Sequence, residues 1–146
     1  MDINREAPVV VEGEIEISAP TEVVWDVLTN IEDWPQWNTD VKSTDIGGPV
    51  APGTTFRWKA GPGTIKSKLE TMERPHVVAW TGRWLGISAV HVWRLDRNEG
   101  GTLVQSQESV EGFPARLLPG RHRKVFERST QTSLQALKVE AERRSS

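Results

Sequence analysis

Alternation of apolar and polar residues is the dominant pattern of this chain and predicts a series of β-strands. In residues 9–17, Val11, Ile15 and Ile17 alternate with three glutamates, which is typical of a strand with one face in water. Residues 40–46 predict a second strand. The same two-residue period recurs, between short turns that contain glycine, in residues 54–60, 63–73, 76–84, 86–96 and 101–110.

Two other segments have a helical period. Residues 18–31 carry an apolar stripe that includes Val24, Leu28 and Ile31, with Ser18 or Thr21 as the predicted N-cap. Residues 120–144 lack Gly and Pro after their start and are long enough for about six helical turns. This last helix is the only large element that can cover the sheet, so the order of elements predicts an α+β fold.

The predicted architecture is a curved antiparallel sheet of about seven strands wrapped around a long C-terminal helix. We expect one domain over residues 9–144, with residues 1–8 and 145–146 flexible. The length of 146 residues is typical of a single domain.

The hairpin around residues 96–102 (DRNEGGT) fixes which residues face each other. A two-residue turn at 99–100 and a four-residue loop at 98–101 give the same pairing. Opposed residues share one side of a sheet. The pairs are Leu95 with Val104, Trp93 with Ser106, His91 with Glu108, and Ala89 with Val110, whereas the predicted wet side carries Ser88, Arg94, Asp96, Gln105, Gln107 and Ser109.

Three polar residues, His91, Ser106 and Glu108, fall on the apolar side of this hairpin. Burying such groups without partners costs roughly 1–3 kcal/mol each, so they should pair or meet water. A His–Glu pair that lines a pocket filled with water or ligand satisfies this requirement. The alternatives are a structural hydrogen bond and a one-residue bulge that turns Glu108 outward.

The last helix favours a hollow centre. Few bulky aliphatic residues occupy the first half of its predicted inner face, and small hydroxyl side chains there leave room. A merely weak helix face is the alternative interpretation. The predicted inner positions are His122, Phe126, Ser129, Thr130, Ser133 and Leu137.

Composition narrows the possible functions. The net charge of −2 and the pI near 5.9 argue against a nucleic-acid binder, and the absence of cysteine excludes disulfides and thiolate chemistry. No metal-ligand spacing and no phosphate-binding glycine loop occurs, so we expect neither metal nor cofactor. The chain has no leader pattern and no apolar run near 18 residues, which predicts a cytoplasmic protein.

Tryptophan is unusually frequent, with seven Trp against three Phe and no Tyr. Such side chains pack a core or line a wide pocket with an apolar face and one N–H donor. The predicted ligand-binding residues are Trp58, Trp80, His91, Trp93, Ser106, Glu108, Phe126 and Thr130.

Four segments carry a family resemblance: ISAPTEVVWDVLTNIEDWPQWNTDV (17–41), VVAWTGRWLG (77–86), HVWRL (91–95) and GTLVQSQESVEG (101–112). With the long last helix, they resemble the START-like or SRPBCC superfamily, which has the helix-grip fold, and within it bacterial polyketide cyclase/dehydrase-type proteins. The resemblance covers residues 9 to about 142.

This resemblance implies an apolar cavity between sheet and helix, whose wide mouth is closed by two short helices. Trp34 and Trp37 would then be fold residues at the corner between those helices, with Pro35 setting the backbone and Asp33 as cap. The implied function is binding of a lipid-like or polyketide-like molecule. Cyclase or dehydratase activity with His91 and Glu108 as catalytic groups is one alternative, and a partner-binding or stress-related role is another.

Two surface features bear on partners. Arg121, Arg123 and Lys124 lie at the start of the last helix, where they either bind an acidic carrier protein or membrane surface or form a solvated face. Trp84 and Leu85 lie on a turn, where they either gate the cavity mouth or pack beneath the first helix. Arg83 can bind an acidic group only if its strand turns it inward.

Overall fold

The computed structural model describes residues 1–146 and contains one seven-stranded antiparallel sheet, ordered β1-β7-β6-β5-β4-β3-β2. The predicted α+β helix-grip fold is confirmed. The strands are β1 (Val9–Ile17), β2 (Val41–Ile46), β3 (Thr55–Ala60), β4 (Gly63–Glu73), β5 (Val77–Trp84), β6 (Ile87–Asn98) and β7 (Gly101–Glu111). The helices are α1 (Thr21–Thr29), a 3₁₀ turn (Ile31–Asp33), α2 (Trp34–Trp37), α3 (Phe113–Leu117) and α4 (Pro119–Ser145).

The predicted register of the β6–β7 hairpin is confirmed. Asn98 pairs with Gly101, so the turn consists of Glu99 and Gly100, and the four predicted pairs from Leu95–Val104 to Ala89–Val110 all occur. Because opposed residues share a side, these pairs define the concave face of the sheet, against which α4 packs.

Helix α4 comes close to the sheet over β1. A Cβ atom added to Gly13 would lie 3.0 Å from Cδ1 of Leu134 and 3.2 Å from Cγ2 of Thr130. The missing side chain therefore lets the two backbones approach. Leu134 and Leu137 are fully buried in a core shared with Leu95 and with residues of α1. No helix in the structure combines the length and apolar character needed to span a membrane.

The convex face of the sheet is more buried than predicted. Ala79 and Val92 are fully buried there, and Ile3 covers them with only 6% of its surface exposed. Ser109, expected in water, is buried and its hydroxyl accepts a hydrogen bond from the backbone N–H of Asn4 at 3.0 Å. Residues 1–8, predicted to be flexible, thus include a segment that packs on the sheet.

The predicted cap of α1, Ser18 or Thr21, is wrong, whereas Asp33 occupies the predicted N-cap position of α2. Pro20 precedes α1 and its carbonyl accepts hydrogen bonds from the N–H groups of Val23 and Val24, whereas the Thr21 hydroxyl lies 3.1 Å from that of Thr102. The Asp33 carboxylate makes no capping bond and accepts a hydrogen bond from Asn30 Nδ2 at 2.9 Å. Buried or local side-chain partners compete with the helix end for these groups.

Candidate functional site

The candidate site lies on two neighbouring rows of residues on the concave face, and one of them consists of Val78, Trp93, Ser106 and Gly13. The other row runs from Trp80 through His91 and Glu108 to Val11, across β5, β6, β7 and β1. The β6–β7 register continues through this region without a shift, so no bulge turns Glu108 outward. The side chains of His91 and Glu108 keep 15% and 14% of their surface exposed, which places them inside the fold but within reach of solvent.

His91 makes its hydrogen bond with Ser106. Nε2 of His91 lies 2.7 Å from the Ser106 hydroxyl, whereas its Nδ1 lies 4.0 Å from Oε2 of Glu108. The second distance is too long for a hydrogen bond. The predicted neighbours are therefore adjacent, but Ser106, and not Glu108, fixes the imidazole.

Burial changes the ionisation of both groups. Desolvation raises the pKa of Glu108 to about 8 and lowers the pKa of His91 to about 3, because burial disfavours the charged form of each group. At pH 7 the site therefore contains a protonated carboxyl group and a neutral imidazole. The Glu108 carboxyl acts as a hydrogen-bond donor in this state.

An aromatic wall extends from these polar groups. The His91 ring lies 5.2 Å from Trp80 and 5.0 Å from Trp93, measured between ring centroids. Trp34 of α2 continues the wall at 5.3 Å from Trp80 and 5.7 Å from Trp58. Trp34, Trp80 and Trp93 are each 5% exposed or less, so these rings pack against one another as part of the hydrophobic core.

One buried donor in this wall has no partner. Trp93 is 3% exposed, and its Nε1–H forms no hydrogen bond. The indole groups of Trp34 and Trp58, by contrast, donate to the Leu28 carbonyl and the Ser67 hydroxyl, each at 3.0 Å. A buried N–H without an acceptor costs about 1–3 kcal/mol, so an acceptor bound beside Trp93 would meet a donor that no protein group uses. The Trp37 indole is likewise unpartnered.

The residues next to this site on β4, β5 and β6 are small. Ser67 pairs with Gly82, and Gly82 pairs with Ala89, in the row beside His91. Gly82 and Ala89 remain half-buried. A Cβ atom added to Gly82 would lie 3.2 Å from Cγ2 of Ile65, so the absence of a side chain at Gly82 lets Ile65 pack over this strand.

Part of the inner face predicted for α4 is confirmed. Thr130 is 4% exposed and Leu137 is fully buried, but Ser129 is exposed and the prediction for it is wrong. Leu134, which was missed, takes the central position because the buried stripe follows the spacing of Thr130, Leu134, Leu137 and Ala141. Phe126 is half-buried against a second cluster that contains Val9 and Val110.

The other predicted inner positions of α4 lie nearer the surface. Ser133 is half-buried and its hydroxyl accepts a hydrogen bond from Asn38 Nδ2 at 3.2 Å. The ring of His122 lies 2.8 Å from the Leu118 carbonyl, through Nδ1. Neither side chain joins the His91–Glu108 rows.

Sequence reasoning treated Trp34 as a fold residue and left Phe56 out. Phe56 is buried, lies 5.7 Å from Trp34 and belongs to the same wall. The signal for it was present, because Phe56 and Trp58 alternate along β3 and so face the same side. For Trp34 no local pattern distinguishes packing at a corner from lining a site.

Arg83 is excluded from the concave face. It pairs with Lys66 and Ser88 on the convex side, where a surface groove of about 590 Å³ is lined by these residues together with Arg57 and Lys68. A second, open depression of about 700 Å³ lies at the β5–β6 turn. Both depressions are outside the His91–Glu108 rows, and no three His, Asp or Glu side chains are grouped to hold a metal ion.

The comparisons with known proteins agree with this architecture. The family model described as "Polyketide cyclase / dehydrase and lipid transport" matches residues 8–142. Similar solved structures include a hypothetical protein from Helicobacter pylori, with 17% identity, a TM-score of 0.83 and coverage of 94% of this chain and 90% of that one. A START superfamily protein from Mycobacterium smegmatis has 17% identity and a TM-score of 0.79, with 92% and 97% coverage.

A third similar structure is the Zhui aromatase/cyclase from Streptomyces sp. R1128. It has 20% identity and a TM-score of 0.78, and the match covers 92% of this chain and 94% of that one. Identities at this level support a common fold. A search for similar sequences among curated proteins found no significant match.

Proposed function

Because the chain belongs to the polyketide cyclase/dehydrase and lipid transport family, we propose that its concave face binds a hydrophobic small molecule between the sheet and α4. The observation that carries this proposal is the buried, unpartnered N–H of Trp93, which lies one residue pair along the β6–β7 hairpin from Glu108, a carboxyl group whose pKa is raised to about 8. Ligand sites are mostly apolar and contain a few polar groups that fix orientation. The aromatic wall and these two donors have that composition.

The donors define the class of ligand. Trp80, His91 and Trp93 form a row of neighbouring aromatic rings, so a flat, conjugated or polycyclic skeleton that inserts against this row is the best chemical match. The Trp93 N–H and the Glu108 O–H both require an acceptor, and a ketone oxygen has two lone pairs to offer. A polyketide-like molecule with a carbonyl group meets both requirements, whereas a saturated hydrocarbon chain meets neither.

Fluorenone and fluorene test this assignment because the two probes differ chiefly by one carbonyl group. We expect fluorenone to bind more tightly than fluorene, as measured by quenching of tryptophan fluorescence. Trp93→Phe keeps an aromatic ring but removes the donor, so it should weaken fluorenone binding by about 3- to 10-fold, the value of one hydrogen bond, and leave fluorene binding nearly unchanged.

Trp25→Phe is the matched control, since Trp25 is buried in α1 outside the aromatic wall. It should leave the ratio of the two affinities unchanged. Equal affinity of the wild-type protein for both probes, or an equal loss of both in Trp93→Phe, would count against the proposed role of the donor.

One observation favours a second candidate function, catalysis of enolisation. Glu108 and His91 are an acid and a base whose pKa values are moved in opposite directions, and such pairs are typical of acid–base sites. In the tautomer in which Nε2–H donates to the Ser106 hydroxyl, Nδ1 of His91 carries the free lone pair. Glu108 would give its proton to a ketone oxygen while His91 takes the proton from the adjacent carbon, leaving an enol, a carboxylate and an imidazolium.

Deuterium exchange at the α-carbon of 2-tetralone, followed by NMR in D₂O, tests this second function. Positioned acid and base groups contribute about 10²–10⁴-fold, so wild-type protein should accelerate the exchange. Glu108→Gln and His91→Ala should each remove most of that acceleration. Exchange at the buffer rate, or equal acceleration by both variants, removes the catalytic role and leaves binding alone.

A further inference from the structure

Exposed apolar side chains are concentrated at one end of the molecule. Of the eight large hydrophobic residues that are exposed, five lie on the β5–β6 turn, on α3 or at the start of α4. Their exposed fractions range from 50% to 76%. We call this group the apolar cap: Leu85, Phe113, Leu117, Leu118 and Val125.

Packing beneath the apolar cap brings its parts together. A Cβ atom added to Gly86 would lie 3.7 Å from Cδ of Pro114, so the β5–β6 turn touches α3. Ala115 is fully buried and anchors α3 on Ile87 and Val110. The helix therefore turns its other side, with Phe113 and Leu117 one turn apart, towards the outside.

Leu85 is held in an unfavourable backbone conformation. Its φ angle is 45°, in the left-handed region, and its side chain is 76% exposed. Asn or Gly is favoured at such a position, and a leucine there gains nothing from burial. Neither backbone preference nor burial therefore accounts for a leucine at this turn.

Positive charge surrounds the apolar cap. Residues 111–128 contain five basic and two acidic side chains, a balance of +3 in a chain whose net charge is −2. Arg116, Arg121 and Arg128 take part in no ion pair. Arg121 lies in the first turn of α4, where a cation opposes the helix macrodipole, so its charge does not stabilise that helix.

Apolar and basic residues alternate along one side of α4. Leu118, Arg121, Val125 and Arg128 follow one another at spacings of three and four residues and so form a single stripe. Apolar side chains among lysines and arginines are typical of helices that lie at the surface of an anionic bilayer. An exposed apolar patch of this kind otherwise favours aggregation.

We propose that the apolar cap and its basic surround dock on an anionic lipid bilayer. Phe113, Leu117 and Leu85 enter the headgroup region, and Arg116, Arg121 and Arg128 contact the acidic headgroups. The surface lies next to the candidate site, because Val110 and Val11 beneath α3 adjoin Glu108 along β7 and across to β1. Transfer of a ligand between bilayer and site rests on the proposed function, but docking itself does not.

Sedimentation with vesicles tests the proposal. Wild-type protein should bind vesicles of three parts phosphatidylcholine to one part phosphatidylglycerol, bind pure phosphatidylcholine at least about tenfold less, and dissociate as salt rises. Phe113→Asp/Leu117→Asp and Arg121→Glu/Arg128→Glu should each weaken binding by about tenfold or more. Val139→Asp, at an exposed valine far along α4, should bind like the wild type.

The groove on the convex face provides a second control. Arg57→Glu/Lys68→Glu changes the charge by as much as the arginine variant but leaves the apolar cap intact, and should have a smaller effect. No binding to the anionic vesicles, or an equal loss in the Val139→Asp and Phe113→Asp/Leu117→Asp proteins, overturns the proposal. So does a result in which the cap variants bind vesicles normally but lose binding to a small acidic protein such as an acyl carrier protein.

Circular dichroism and the fluorenone titration on the same variants separate the two proposals. Retained helix content and unchanged fluorenone affinity show that only docking was altered. If wild-type protein binds vesicles but not fluorenone, the ligand proposal fails while docking stands.

Discussion

Glu108→Gln should raise the free energy of unfolding at pH 8 by about 2–4 kcal/mol, and by less than about 1 kcal/mol at pH 5. The buried carboxyl group has a folded pKa of about 8 against 4.5 in the unfolded chain. Above pH 4.5 the unfolded state therefore releases a proton that the folded state retains, and stability falls as pH rises towards 8. Glutamine has nearly the same shape but does not ionise. Urea unfolding at pH 5, 6.5 and 8 measures the difference.

Ionisation of His91 makes the free energy of unfolding change with pH in the opposite direction, and it does so at lower pH. Its folded pKa of about 3 against 6.5 in the unfolded chain means that stability is lost as pH falls from 6.5 to 3. From pH 4.5 to 6.5 the two groups offset each other, so the fall from 6.5 to 8 belongs to Glu108. Glu14→Gln, at an exposed glutamate on β1, should not alter that fall. If the free energy of unfolding changed with pH in the same way for the wild type and Glu108→Gln, Glu108 would be solvated and the prediction would be wrong.

Leu134→Ala should destabilise the protein by about 2–5 kcal/mol, the usual cost of emptying a buried leucine site. Leu134 is fully buried and lies where α4 crosses Gly13. Gly13, on the strand that faces Leu134, has no side chain that could move into the cavity left by the substitution. Equilibrium unfolding in guanidinium chloride gives the value.

Gln135→Ala is the matched control for this leucine. It changes the next residue of the same helix, which is exposed, and should shift stability by no more than about 0.5 kcal/mol. Similar midpoints for the two variants would mean that α4 does not press on β1 as described.

The parts of the fold that sequence predicted are those set by short-range rules. The two-residue turn at Glu99–Gly100 and the period of two fix the β6–β7 register, so the pairing of His91 with Glu108 follows from local pattern alone. Ser129 was misassigned because its helix has few large apolar residues, and a stripe of small side chains is consistent with more than one face. Its neighbour Thr130 is the buried one.

Other features depend on contacts between distant residues. Ile3 covers Val92 from across the convex face, and nothing in residues 1–8 alone predicts a partner for it. The free N–H of Trp93 is likewise a property of the assembled wall, since Trp34 and Trp58 find acceptors and Trp93 does not. Sequence thus predicts that His91 and Glu108 face each other, and the structure shows which nearby indole N–H groups have acceptors.

The most direct test is an NMR spectrum of the seven indole N–H groups in ¹⁵N-labelled protein, recorded with and without fluorenone. If a carbonyl ligand binds on the concave face, the Trp93 proton should show the largest downfield shift, because its unpartnered N–H gains an acceptor there, while Trp25 stays in place. A saturating titration that leaves the Trp93 resonance unmoved, or that shifts only Trp84 at the β5–β6 turn, would contradict the account.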